Sequence, residues 1–84
     1  MYKRGDQIAY IPDHANGNLH HIDVEFGFVT SVRKDTVFCR YWSKHFPDEL
    51  RTKANSEGAD KRNIVPYVSH SDEQVNAALA TYCP

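Results

Sequence analysis

The 84-residue sequence predicts a small, mostly β domain that ends in one α-helix. Two observations carry that reading. The stretch from Val24 to Trp42, VEFGFVTSVRKDTVFCRYW, reads as two strands joined by a tight turn at Lys34-Asp35, because Val, Thr and Phe favour a pleated, half-buried surface. The tail from Ser71 onward carries a helix-start signature and then apolar residues at helical spacing. A chain of this length has room for one domain and a small core, so each inward aromatic counts.

Taken in order, Gly5-Asp6 opens a first strand from Gln7 to Ile11, and Pro12 ends it because proline has no ladder donor. Residues 12–23, PDHANGNLHHID, form a long polar connection with a turn at Asn16-Gly17. A second strand covers Val24 to Arg33. Gly27 suggests a bend or bulge in it, and the odd spacing of Val29 and Val32 needs a local distortion if both are core. In the third strand, Thr36 to Trp42, alternation puts Val37, Cys39 and Tyr41 on one face and Phe38, Arg40 and Trp42 on the other. The smaller set suits the interior. Phe46-Pro47-Asp48 marks a turn, Leu50 to Ala54 a fourth short strand, and Asn55 to Arg62 a loop. Residues Asp60 to Asn63 fit a single 3₁₀ turn before a last strand, Ile64 to Tyr67, which Pro66 confines to an edge or an end. In the tail, Ser71 and Gln74 form a capping box, and Val75, Ala78, Leu79 and Tyr82 share a face that must pack on something. Five short strands, a long first loop and a 3₁₀ turn before the last strand make the pattern of a five-stranded SH3-like barrel. Residues 1–68 are expected to form it, with 69–84 as a helix packed across its open end.

The run GDQIAYIPDHANGNLHHIDVEFGFVTSV, with TVFCRYW after it, resembles small proteins encoded by bacteriophages and prophages. Those share a strand ending in Tyr-Ile/Val-Pro, a His-Ala-x-Gly loop, Glu-x-Gly-x-Val and Val-Phe-x-x-Tyr. The likeness covers the first half of the chain. It implies a barrel of the KOW, Tudor or SH3 kind and a phage context, and it implies no mechanism, since these proteins are largely without assigned function.

Charge and motifs bound the function. The net charge is −1, which disfavours a general nucleic-acid binder. The charge is uneven, however. Residues 6–32 carry Asp6, Asp13, Asp23 and Glu25 and no Lys or Arg, while residues 33–62 hold eight bases against five acids. No stretch is long and apolar enough for a membrane span, and the N-terminus lacks the apolar run of a secretory signal. Two cysteines, Cys39 and Cys83, suit free thiols in a reducing, cytoplasmic setting. No nucleophile elbow, phosphate loop or zinc-protease motif occurs, so no enzyme and no cofactor are expected. His14, His20 and His21 lie near Asp13 and Asp23, but without zinc-type spacing they are expected to order the loop and not to bind metal.

The stronger signal is the outward face of the third strand together with the segment after it. Phe38, Arg40, Trp42, Lys44, His45, Phe46 and Arg51 are the candidate binding residues, because aromatics and arginine dominate binding hot spots. Either these side chains form a contact surface, or Phe38 and Trp42 lie under the helix or the 43–50 segment as a second small core. The surface reading expects Trp42→Ala with Arg40→Glu to leave the fold intact. A protein partner, host or phage, is favoured. The alternatives are nucleic-acid binding through the basic 33–62 segment and a Tudor-like cage of Tyr41, Trp42 and Phe46.

Overall fold

The computed structural model describes residues 1–83; Pro84 lies outside them. Its strands are β1 (Gln7–Tyr10), β2 (Glu25–Arg33), β3 (Thr36–Tyr41), β4 (Glu57–Asp60) and β5 (Ile64–Pro66). Two 3₁₀ turns, Asp13–Ala15 and Lys61–Asn63, and one helix, α1 (Asp72–Tyr82), complete it. All strand pairs are antiparallel, in the order β4-β3-β2-β1-β5. No ladder joins β4 to β5, so the expected closed barrel is an open sheet.

The sheet is nevertheless curled. Laid flat, five strands at their usual spacing would put the two edges about 19 Å apart. The four peptide steps from Asp60 to Ile64 reach at most about 14 Å. The turn Lys61–Asn63 therefore pulls the edges toward each other, and Asp60 caps it by accepting from the Arg62 amide.

Curling is helped by a bulge in β2. The β2–β3 register shifts between Val29 and Ser31, leaving Thr30 as the extra residue. The shift puts Val29 and Val32 on the same core, which is the distortion their spacing demanded. The bulge does not sit at Gly27, as the sequence suggested. Gly27 is regularly paired with Ile8 and Tyr41. Its missing side chain serves close approach instead: a Cβ there would lie 2.0 Å from the Arg40 carbonyl oxygen. The β2–β3 turn is the expected Lys34-Asp35, with Lys34 at a φ of 51°.

Both faces of the sheet are covered. The inner core joins Ile8, Val29, Val37, Cys39, Tyr41, Ala59 and Ile64, with Tyr2, Tyr10 and Val32 against it. The predicted inward parity of residues 37, 39 and 41 is what the structure has. On the other face Phe28, Trp42 and Leu50 meet Val75, Ala78 and Leu79 of α1, so the helix lies across the sheet and not over an open end. Its capping box is formed, with the Ser71 hydroxyl accepting from the Gln74 amide and the Gln74 side chain from the Ser71 amide. Gln7 of β1 fixes the approach: its amide oxygen accepts from the Ser69 and His70 amides, and its NH2 donates to the His70 carbonyl at 2.7 Å.

One strand is misplaced by the sequence reading. Leu50 to Ala54 is not a strand, since only an isolated bridge links Trp42 to Leu50. The strand is Glu57–Asp60, inside the expected loop. It works as an edge strand because only Ala59 must face the core, and Gly58 leaves room for the Phe38 ring.

Gly27→Ala should destabilise the protein by about 3 kcal/mol or more, because neither the added methyl nor the facing backbone can move aside cheaply. Urea unfolding monitored by circular dichroism measures this, and a loss below about 1 kcal/mol would mean that β2 and β3 can separate there without cost.

Candidate functional site

Of the seven residues expected to bind, two are buried and a third is half-buried. Trp42 and Arg40 are each only 6% exposed, and Phe38 is half-buried beside Gly58. The outward face of β3 is therefore not a free surface. Trp42 lies between the sheet and α1, 5.6 Å from the Phe28 ring centre, and stacks on His70 at 4.0 Å with the planes 11° apart. His70 is fixed in that position. Its Nε2 donates to the Pro47 carbonyl at 2.6 Å, since a carbonyl can only accept, and its Nδ1 lies 2.8 Å from the Ser69 hydroxyl.

Arg40 is a buried cation without a carboxylate partner among the described residues. It donates instead to the carbonyls of Thr52 (2.7 Å), Lys53 (2.6 Å) and Tyr82 (3.2 Å). The last of these is at the C-terminal end of α1, where the helix dipole favours a positive charge. Its Nε, like the Trp42 Nε1, is buried without a hydrogen-bond partner. The cage reading fails on geometry. Tyr41 belongs to the inner core and Trp42 to the opposite face, so their rings do not converge with Phe46.

The other four candidates are exposed. Arg51 is tied up: it pairs with Glu25 at 2.7 Å and Glu57 at 3.0 Å and sits 5.7 Å from the Tyr41 ring. Lys44, His45 and Phe46 stand on the 43–49 loop. The Ser43 hydroxyl accepts from the His45 and Phe46 amides, the Glu49 amide donates to the Phe46 carbonyl, and the Ser43 amide donates to the Glu49 carbonyl. This short closed loop holds Phe46 at its tip, 64% exposed. Lys44 donates to the carbonyl of Ile22, itself 81% exposed, so the β1–β2 connection and this loop stand side by side.

Between the loop and the chain entering α1 lies a cavity of about 260 Å³, lined by Phe26, Trp42, Lys44, Pro47 and His70 with Ser43 and Ser69. Its walls are mainly apolar, with Lys44 as the one basic chain among them. Tyr67, packed against Phe26 at 4.9 Å, and the exposed Val68 continue the apolar surface along the chain from β5. The sequence reading missed Phe26, Tyr67 and His70. Only the tertiary fold brings them beside Trp42, and no spacing in the chain signals it.

The thiols offer little chemistry. Burial pushes the Cys39 thiol up to about 11, so almost none is thiolate near neutrality. Burial also raises the Tyr41 hydroxyl.

No protein-family model matches this chain, and neither a curated protein nor a solved structure is significantly similar to it. No helix among the described residues is long and apolar enough to cross a membrane.

This placement sets the cost of each substitution. Trp42→Ala should cost about 3–5 kcal/mol, the usual loss for a buried aromatic, and Arg40→Glu should be at least as damaging because it sets an anion against three carbonyls. Phe46→Ala should stay within about 0.5 kcal/mol of wild type. Comparing urea midpoints tests both, and the same midpoint for Trp42→Ala and wild type would return Trp42 to the surface. In a thiol titration of the native chain, Cys83 should react and Cys39 only after unfolding.

Proposed function

We propose that this chain is a non-enzymatic protein-interaction module, an accessory protein of phage or prophage acting on a host protein in the bacterial cytoplasm. The contact surface centres on Phe46, flanked by Lys44 and His45, with Ile22 and the Trp42-His70 cavity beside it. One observation carries the reading: Phe46 is exposed yet held in a hydrogen-bonded loop. An exposed aromatic costs solubility, and a rigid one loses little entropy on binding, which is the character of a binding anchor. The phage context rests on the sequence motifs of the first half of the chain.

The nucleic-acid alternative has less support. Of the eight bases in residues 33–62, Arg40 is buried, and Arg51, Lys53 and Arg62 are paired with carboxylates. Arg40 is thereby removed from any phosphate-binding face, and the carboxylates compete with phosphate for the other three.

The test is capture from a bacterial lysate by the immobilised chain, with and without nuclease. A retained protein should survive nuclease and be lost with Phe46→Asp or Lys44→Glu, while both variants keep the wild-type melting temperature. Retention that disappears on nuclease treatment would favour nucleic acid, and retention indifferent to Phe46 would remove this surface from consideration.

A further inference from the structure

We propose that His14, His21 and Asp23 form a binding site for one divalent transition-metal ion of the zinc class, leaving a fourth position to water. One ligand atom from each residue lies within 4.8 Å of the other two. His14 Nε2 is 2.7 Å from Asp23 Oδ2, and His21 Nδ1 is 4.0 Å from the same oxygen. Around a tetrahedral ion with bonds of about 2.0–2.1 Å, neighbouring ligand atoms sit about 3.4 Å apart. The shorter contact must open and the longer one close by less than 1 Å each, and the two imidazole ligand atoms, at most 4.8 Å apart, by at most about 1.4 Å, which side-chain rotation supplies. The two imidazole rings stand edge to face at 5.2 Å and 78°, so they do not stack on each other.

The protonation pattern also suits ligation. In the hydrogen bond His14 Nε2 donates its proton to Asp23 Oδ2; on ligation that proton passes to water, His14 takes one up on Nδ1, and the ion's bonds to both atoms replace the hydrogen bond. His21 Nδ1 accepts from the Asp23 amide, which places the ring proton on Nε2 and leaves a lone pair on Nδ1, on the side of Asp23. Ligation replaces that contact at an exposed position, where the freed amide meets water. Two imidazoles and one carboxylate suit zinc, cobalt or nickel better than calcium or magnesium, which take more oxygen ligands.

The backbone fixes the three residues in advance. His14 is on the 3₁₀ turn Asp13–Ala15, anchored by buried Pro12 and Ala15. The 18–24 segment is held by bonds from the His21 amide to Asn18 and from the Val24 amide to His21, with Val24 buried. The neighbours are committed elsewhere: Asp13 accepts from Asn63 at 2.7 Å, and His20 is outside the group. Lys44, bonded to the Ile22 carbonyl, adds an opposing charge, so micromolar and not nanomolar affinity is expected. An ion here would cross-link the two ends of the β1–β2 connection.

Calorimetric titration of the untagged chain with Zn²⁺ tests this. One ion per chain should bind, and His14→Gln and Asp23→Asn should each weaken it at least about tenfold, the loss common even for groups behind the ligands. His20→Ala, His45→Ala and Cys83→Ser should leave it unchanged. Co²⁺ should give the visible absorption of a four-coordinate ion, lost in the same two variants. The two substituted residues are exposed, so circular dichroism should show both variants folded. No uptake at millimolar Zn²⁺, uptake that survives His14→Gln and Asp23→Asn, or uptake removed by Cys83→Ser would each overturn the assignment.

Discussion

The Arg40 guanidinium is the interaction on which the outer half of the molecule depends. It projects from β3 into a place where no carboxylate waits among the described residues, and it is held by carbonyls from the 52–53 segment and the end of α1. Burying a cation costs several kcal/mol, and charge-assisted bonds of about 1.5–3 kcal/mol each offset it only when they come together. The arrangement is therefore all or nothing. The helix, the segment after Leu50 and β3 must be in place at once, and the Arg40 carbonyl in turn needs the bare backbone of Gly27 opposite it. A local choice in β2 and a distant helix end thus meet at one residue, the first at its main-chain carbonyl and the second at its guanidinium.

That coupling explains why β2 and β3 are buried on both faces in so small a chain. The inner core is made by the sheet's own curl, and the outer one by the helix. The outer core also shapes the 43–49 loop. Trp42 is pinned by His70, His70 by the Pro47 carbonyl, and Gln74 of α1 reaches Asp48 at 3.1 Å. The loop carrying Phe46 is thereby braced against the helix entrance while its tip stays in water. Rigidity and exposure at Phe46 have the same origin.

The elements legible in the sequence were those with short-range causes. Alternation at 37–41, the capping box at Ser71 and Gln74, and the 3₁₀ turn before Ile64 depend on neighbours in the chain. Strand β4 was not legible because an edge strand with one inward alanine has no hydrophobic pattern to show. The outer face of β3 was half legible. An apolar stripe on α1 and two aromatics on β3 each lacked a partner, and the stripe proves to be the partner of Trp42. The sequence left Trp42 either at a contact surface or under the helix, since parity assigns a face but not what covers it, and the structure has it under the helix. The His14, His21 and Asp23 grouping could not be read from spacing, because a left-handed Asn16 and the turns after it bring residue 14 back to residue 23.

Trp42 is the sole tryptophan, and it is clasped between β3, His70 and α1. Its emission is therefore an optical reporter of one layer of the molecule. Loosening of the helix would alter its colour and yield at once, whereas events in the opposite core would reach it only through its neighbour Tyr41. Of the five tyrosines, Tyr2, Tyr10 and Tyr41 belong to that inner core, while Tyr67 packs on Phe26 and Tyr82 ends α1 on the helix side. In a chain of 84 residues the single indole thus reports on the helix layer, while the phenols are spread over both faces.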